Sequence, residues 1–273
     1  MTFPTIRSAR AIRYRNDGSV AVRRDLPEEV PVALVFNGTT HAVMMATPAD
    51  IGDFACGFAV TEQIVGTLAE IERYETIESK DGIEARLWLN DQRADALAAR
   101  RRVLTGPVGC GLCGIDSLKE AARKVPHIGT APLRLRPEEV CGAIRGLHAH
   151  QPLHDQTVAA HAAGFFIPGE GVVLAREDVG RHNALDKLIG AICRAGLDPS
   201  QGAAVITSRV SVDLVQKCAI SGISTLIAVS APTGYAARVA DEAGMTLIAF
   251  AREDGFEVYT HPARISDEDN DVA

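Results

Sequence analysis

Two stretches of apolar and β-branched residues, Val32 to Phe36 and Thr40 to Ala46, flank Asn37-Gly38, a dipeptide suited to the positive φ values of a two-residue hairpin turn. The pattern predicts a β-hairpin after a polar lead-in. Thr47-Pro48-Ala49-Asp50 then offers a capping hydroxyl, a proline for the first helical position and an acid for the first turn, which predicts a helix from Pro48 towards Gln63. Tyr74 to Ser79 and Ile83 to Leu89, around Asp81-Gly82, read as two further strands, and Ala94 to Arg102 as a helix. These elements form a small α+β unit, assigned to residues 1–108.

The second half alternates more regularly. Gly164 to Ile167 and Val172 to Ala175 read as a hairpin around Pro168-Gly-Glu-Gly171. The stripe Leu185, Leu188, Ile189 and Ile192 predicts a helix from about Ala184 to Ala195, closed by Gly196. Ala203 to Thr207, Leu226 to Val229 and Thr246 to Phe250 read as buried strands separated by helices Val212 to Ile220 and Tyr235 to Ala243. A β-α-β-α-β order implies a partly parallel sheet covered by helices, so residues 109–266 are expected to form an α/β domain. The acidic run 267–273 is expected to be a disordered tail.

At 273 residues with 47% hydrophobic side chains, the chain is long enough to bury a sizeable core. Its net charge of −7 argues against a general affinity for nucleic acid. No apolar run is long enough to span a membrane, and the arginine-bearing N-terminus lacks the apolar core of a signal peptide, so the expected location is the cytoplasm. Six cysteines there stay reduced, and a closely spaced pair reads as metal-binding or catalytic before it reads as a disulfide.

That pair lies in the most glycine-rich stretch, Thr105-Gly-Pro-Val-Gly-Cys-Gly-Leu-Cys-Gly114. A loop is expected there, just ahead of a short helix whose capping box is Ser117 and Glu120 and whose end falls near Pro126. Cys110 and Cys113 make half of a tetrahedral zinc site, which His148, His150, His154 and His161 are available to complete; a thioredoxin-like redox pair is a second reading and a dinucleotide-binding glycine loop a weak third. The remaining reading is a nucleophilic thiol made accessible by glycines and favoured as thiolate by a helix N-terminus, able to attack a persulfide and hold its outer sulfur. Cys56, Cys193 and Cys218 fall among apolar neighbours and read as packed; Cys141 is uninformative.

Arg176-Glu-Asp-Val-Gly-Arg-His-Asn-Ala-Leu-Asp-Lys187 is the densest polar run and straddles a strand end and a helix start. It reads either as a solvated loop with Asn183 as cap, or as a site in which Arg181, His182 and Asn183 meet an anionic or polar ligand group. Strand ends add Ser208-Arg209, Ser230 with Thr233-Gly234, and Phe250-Ala-Arg252, all on the carboxyl side where open α/β sheets take ligands; Ser211 and Thr233 are also good helix caps.

With these motifs together, the chain resembles the FdhD/NarQ formate dehydrogenase accessory sulfurtransferases. The likeness rests on Val35-Phe-Asn-Gly38, Met45-Ala-Thr-Pro48, Cys110-Gly-Leu-Cys-Gly114, Glu177 to Lys187, Thr207-Ser-Arg209, Phe250-x-Arg252 and Tyr259-Thr-His-Pro262. The resemblance implies a sulfurtransferase that takes sulfur from a cysteine desulfurase as a persulfide and passes it to the molybdenum bis(guanine dinucleotide) cofactor, a bound substrate, for a formate dehydrogenase. It assigns the persulfide to Cys110, a partner role to Cys113, and cofactor binding to Phe250, Ala251, Arg252, Glu253, Asp254 and Gly255. It further implies a cytidine-deaminase-like fold and a homodimer, with no intrinsic metal. Where family members show Thr-Gly-Gly-x-His, this chain has Thr157-Val-Ala-Ala-His161, which reduces backbone freedom and argues against a ligand role for that main chain. A deaminase activity is not expected, since no His or Cys is followed two residues on by Glu. The competing function is a non-catalytic chaperone that binds the cofactor and escorts it.

Overall fold

A computed structural model describes residues 3–104 and 125–266, with side chains over 3–98 and 125–266. Cys110, Cys113, the helix expected after Ser117, the expected boundary at 108 and the tail 267–273 therefore lie outside the described residues.

The chain opens with a hairpin that the alternation did not announce. Strands β1 (Ile6–Arg15) and β2 (Gly18–Pro27) pair antiparallel as a two-stranded sheet, and none of their residues is buried. Strands β3 (Val30–Phe36) and β4 (Thr39–Ala46) form the expected hairpin, with Asn37 and Gly38 at φ 49° and 76° as the turn requires. Strands β5 (Ile71–Ser79) and β6 (Gly82–Leu89) complete a four-stranded sheet in the order β4-β3-β6-β5, β3 and β6 running parallel. Helix α1 (Ile51–Thr61) packs Phe54 and Phe58 into the same core as Leu34, Phe36, Ala85 and Leu87. It begins three residues later than expected. Thr47 does not cap it, because the Thr47 hydroxyl accepts from the Val179 amide at 3.1 Å and its own amide donates to the buried Asp178; Asp50 is the N-cap instead, at φ 54°. Helix α2 (Asp91–Leu104) ends the section.

Helix α3 (Pro137–His148) and the short helix α4 (Pro152–Thr157) lead into the larger sheet. Its strands are β7 (His161–Ile167), β8 (Gly171–Asp178), β9 (Ala203–Ile206), β10 (Thr225–Ala228), β11 (Thr246–Ala249) and β12 (Glu257–Thr260), in the order β12-β11-β10-β9-β7-β8. The three central strands β9, β10 and β11 are parallel, as β-α-β-α-β predicted, and the flanking pairs are antiparallel. Strand period decides what each face meets. Ala204, Ile206, Leu226, Ala228 and Leu247 bury against helices α5 (Arg181–Ala195), α6 (Val212–Ile220) and α7 (Gly234–Glu242), while Ala203, Val205, Ile227 and Ile248 bury under α3 with Ile144 and Leu147.

The first section is not a separate body. Helix α1 lies against α5, and the core that holds Phe54 and Phe58 also holds Leu185, Leu188 and Ile189. The helices touch at Gly57 and Gly190, where a methyl group on either would run into a backbone carbonyl, of Asp186 and Asp53 respectively. Their polar edges are stitched by ion pairs built on the buried carboxylates of Asp53 and Asp186. Asp53 takes Arg176 at 2.7 Å and Arg194 at 2.5 Å, and Lys217 reaches Asp186 at 2.9 Å and Thr61 at 2.9 Å. Burial pulls the Lys217 ammonium pKa down, but Asp186 and Glu62 outweigh it and hold the pKa above that of an ordinary lysine.

Candidate functional site

The dense run Glu177 to Lys187 divides into two sets of side chains with different employment. Glu177 turns back to cap α4, its carboxylate accepting from the amides of Leu153 and His154 at 2.8 Å each. Asp178 and Lys187, both with no exposed side-chain surface, pair at 2.7 Å. Asp178 also accepts from the amides of Thr47 at 3.0 Å and Gly180 at 2.7 Å, and Lys187 donates to the Thr47 carbonyl at 2.9 Å. Asn183, expected to meet a ligand, is buried, and its amide nitrogen donates to the Met45 carbonyl at 2.8 Å and to Asp178 at 3.0 Å. Nor is it the cap of α5, which is Gly180. The Met45 to Pro48 motif and this run are thus two halves of one clamp. Arg181 and His182 remain half-buried in the first turn of α5, where the helix dipole favours an anion and the turn itself contributes no acidic residue, although Asp178 and Asp213 stand beside it.

That turn sits at the carboxyl edge of the large sheet. Strand β7 runs against β9, so its first residue, His161, lies at the same edge, paired with Asp178 at the end of β8. His182 Nε2 faces the Ser211 hydroxyl at 3.3 Å and Asp213 at 3.7 Å. Burial first, and the Arg181 charge second, push the pKa of both His161 and His182 below the ordinary value of 6.5, against the pull of Asp178 on the one and Asp213 on the other. Both imidazoles therefore favour the neutral form more than a solvent-exposed histidine does. Ser211 stands at the N-cap position of α6 without a side-chain cap bond, whereas Thr233 caps α7 through the Ala236 amide at 3.1 Å, the plainer of its two readings.

The strand ends are tied to one another. The Val210 amide donates to Ala231 at 3.1 Å, that of Thr233 to Val210 at 2.9 Å, and that of Ala251 to Ala228 at 3.0 Å. Ser208 is buried, with its hydroxyl on the Arg209 carbonyl at 3.1 Å, and Arg209 is exposed beside it. The stretch Phe250 to Gly255 closes on itself through the Arg252 amide and the Gly255 carbonyl at 2.7 Å. Ala251 anchors it in the core, while Phe250, Arg252, Glu253 and Asp254 are exposed and Gly255 is half-buried. Phe250 holds φ 49°, a left-handed backbone that costs a non-glycine residue about 1–3 kcal/mol and persists only where its surroundings enforce it. The Arg252 guanidinium rests on the carbonyls of Val229 and Ala251.

The edge therefore brings together Arg181, His182, Ser208, Arg209 and Phe250 to Gly255 as expected. It adds His161, Ser211 and Asp213, which the sequence reading had placed elsewhere or passed over; Ser211 and Asp213 follow Thr207-Ser-Arg209 closely enough to have been included. A cavity of about 270 Å³ lies across the clamp, lined by Thr47, Asp50, Leu153, Arg176 and Glu177 among others, and contains none of the expected binding residues. It falls just below the roughly 300–1,000 Å³ usual for pockets that take drug-sized ligands. Cys56 and Cys218 are packed, their thiols pushed by burial to about 11 and about 12, and burial raises Cys193 as well. No helix of the described residues is long and apolar enough to cross a membrane.

Helices on both faces of a mixed sheet, with cationic and polar side chains gathered where its parallel strands end, define an α/β protein of the open-sheet kind. The sequence profile of the FdhD/NarQ family matches residues 27–266, and the chain belongs to that family. It is 49% identical over 242 residues to the sulfur carrier protein FdhD of Agrobacterium fabrum, covering 89% of each chain. It is 47% identical over 259 residues to the protein of the same name from Brucella abortus, covering 95% of this chain and 96% of that one. A solved structure, assigned as a formate dehydrogenase accessory protein of Desulfotalea psychrophila, superposes with a TM-score of 0.74 at 24% identity over 96% of this chain and all of the other, a likeness of fold.

Proposed function

We propose that this chain is a sulfur carrier in formate dehydrogenase maturation, with Cys110 as the sulfur-bearing thiol. The observation that carries the reading is identity near one half, over nearly nine tenths of the chain, with relatives named sulfur carrier proteins. In the first step the Cys110 thiolate attacks the outer sulfur of a persulfide on a cysteine desulfurase. A new S–S bond forms on Cys110, the donor cysteine leaves as thiolate, and no net oxidation occurs. The second step delivers that sulfur to the molybdenum bis(guanine dinucleotide) substrate at the carboxyl edge. Release at the level of sulfide takes two electrons, which the Cys113 thiol supplies by closing a disulfide with Cys110. Arg181, Arg209 and Arg252 supply positive charge for the phosphates, and the first turn of α5 adds its dipole.

The competing chaperone reading lacks the covalent step, so intact mass separates the two. After incubation with a cysteine desulfurase and free cysteine, the wild-type protein is expected to gain one sulfur, and Cys110→Ala none. Absence of an adduct on the wild type would sink the carrier reading and leave escort of the cofactor.

A further inference from the structure

Arg181, Arg209 and Arg252 give the carboxyl edge of the large sheet its positive charge, yet a carboxylate stands among them. Asp213 lies in the first turn of α6, a helix packed between α5 and α7, and its side chain is 54% exposed. Among the described residues it has no lysine or arginine partner. Its one ionic contact is His182 Nε2 at 3.7 Å, and burial and the Arg181 charge disfavour protonation of that imidazole. A phosphate gains nothing from such a neighbour. The other acids nearby are employed or turned aside: Asp178 is buried on Lys187, Glu177 accepts the α4 amides, and Glu253 lies 3.9 Å from His148 of α3. Two exposed acids are left, Asp254 in the Phe250 to Gly255 turn and Asp213 beside the first turn of α5.

Guanine presents its N1–H and its amino group side by side, and the two oxygens of one carboxylate accept both at once, a charge-assisted bidentate pair. Adenine and cytosine put a ring acceptor where guanine has N1–H, so the same carboxylate repels them. Phe250 and Tyr235, 42% and 41% exposed, add aromatic faces at this edge on which a base can stack. Taking the carboxyl edge as the place where the guanine dinucleotide binds, as in the function proposed above, we propose that Asp213 is its specificity-determining residue, accepting both donors of a guanine whose phosphates lie on the arginines.

Calorimetric titration of the full chain with GDP, ADP and xanthosine diphosphate tests this. The wild type is expected to bind GDP about tenfold more tightly than either of the others, or more, which is the worth of a hydrogen bond to a charged group. Asp213→Asn keeps an acceptor for N1–H and gains an amide donor that pairs with the 2-oxo group of xanthine, so the preference is expected to reverse from GDP to xanthosine diphosphate. Misfolding does not reverse a preference, and a role confined to the α6 dipole would alter stability and leave the choice of base untouched. Asp254→Asn is expected to keep the wild-type preference. Three results overturn the role of Asp213 while leaving the edge as the binding place: an unaltered preference in Asp213→Asn, a loss of GDP with no gain of xanthosine diphosphate, or a reversal produced by Asp254→Asn instead. A wild type that binds no GDP at all overturns the reading of the edge itself, and the role of Asp213 with it.

Discussion

Lys187 has no exposed side-chain surface, and its charge is balanced within the protein by Asp178 and the Thr47 carbonyl. Removing one member of such a pair leaves a buried, uncompensated charge, at a cost of about 3–5 kcal/mol. Lys187→Met is therefore expected to lower the unfolding free energy by that amount, as measured by urea titration at pH 7. The same residues show where reading the sequence reached its limit. The run Glu177 to Lys187 was legible as special from its density of charge, but its division of labour was not. Asp178 meets the Thr47 amide 131 positions away, and no local pattern distinguishes that partner from a ligand. Arg181 and His182 stay half-buried at the start of α5, whereas Asn183 proved to hold the Met45 carbonyl. The reactivity expected of Cys110 came from glycine content and spacing, and that of Cys56 and Cys218 was correctly discounted from their apolar neighbours.

Among elements, those fixed by turn chemistry and strong periodicity were the legible ones: the Asn37-Gly38 and Asp81-Gly82 hairpins, the α5 stripe ending at Gly196, and the three parallel strands. The β1–β2 hairpin was passed over because its arginines recur every third residue on β1 and obscure the period of two that marks a strand. The start of α1 was misplaced because a residue that looks like a cap was engaged by Asp178 instead. The crossing of α1 and α5 depends on a contact no composition reveals, since Gly57 and Gly190 let two backbones touch. Gly57→Ala is expected to push the helices apart and to destabilise the fold by about 1–3 kcal/mol, in the range of overpacked cores. A Gly57→Ala denaturation midpoint equal to the wild-type value would contradict this crossing.

For the whole molecule, one core joins the section before Cys110 and Cys113 to the sheet after them, so acid is expected to act on both together. His161 and His182 have lower pKa values folded than unfolded, hence the unfolded chain binds protons more readily. Their contribution to stability is present above pH 6.5 and declines as the pH falls through the lowered folded values. Glu177, raised by burial, works in the opposite sense from its ordinary 4.5 upward. Urea midpoints are expected to fall between pH 7 and pH 5.5, and replacing both histidines by Gln to flatten that slope; an unchanged slope would remove them as its source. The Thr47–Lys187 bond spans 140 residues, which orders events during synthesis as well as energies at equilibrium. A nascent chain displays Asp53 and the Gly57 surface long before helix α5 emerges from the ribosome to cover them. Contacts of such high sequence separation form late and slow the folding rate. The first hundred residues are thus committed to waiting for their own partner, exposed in the meantime to chaperones and proteases.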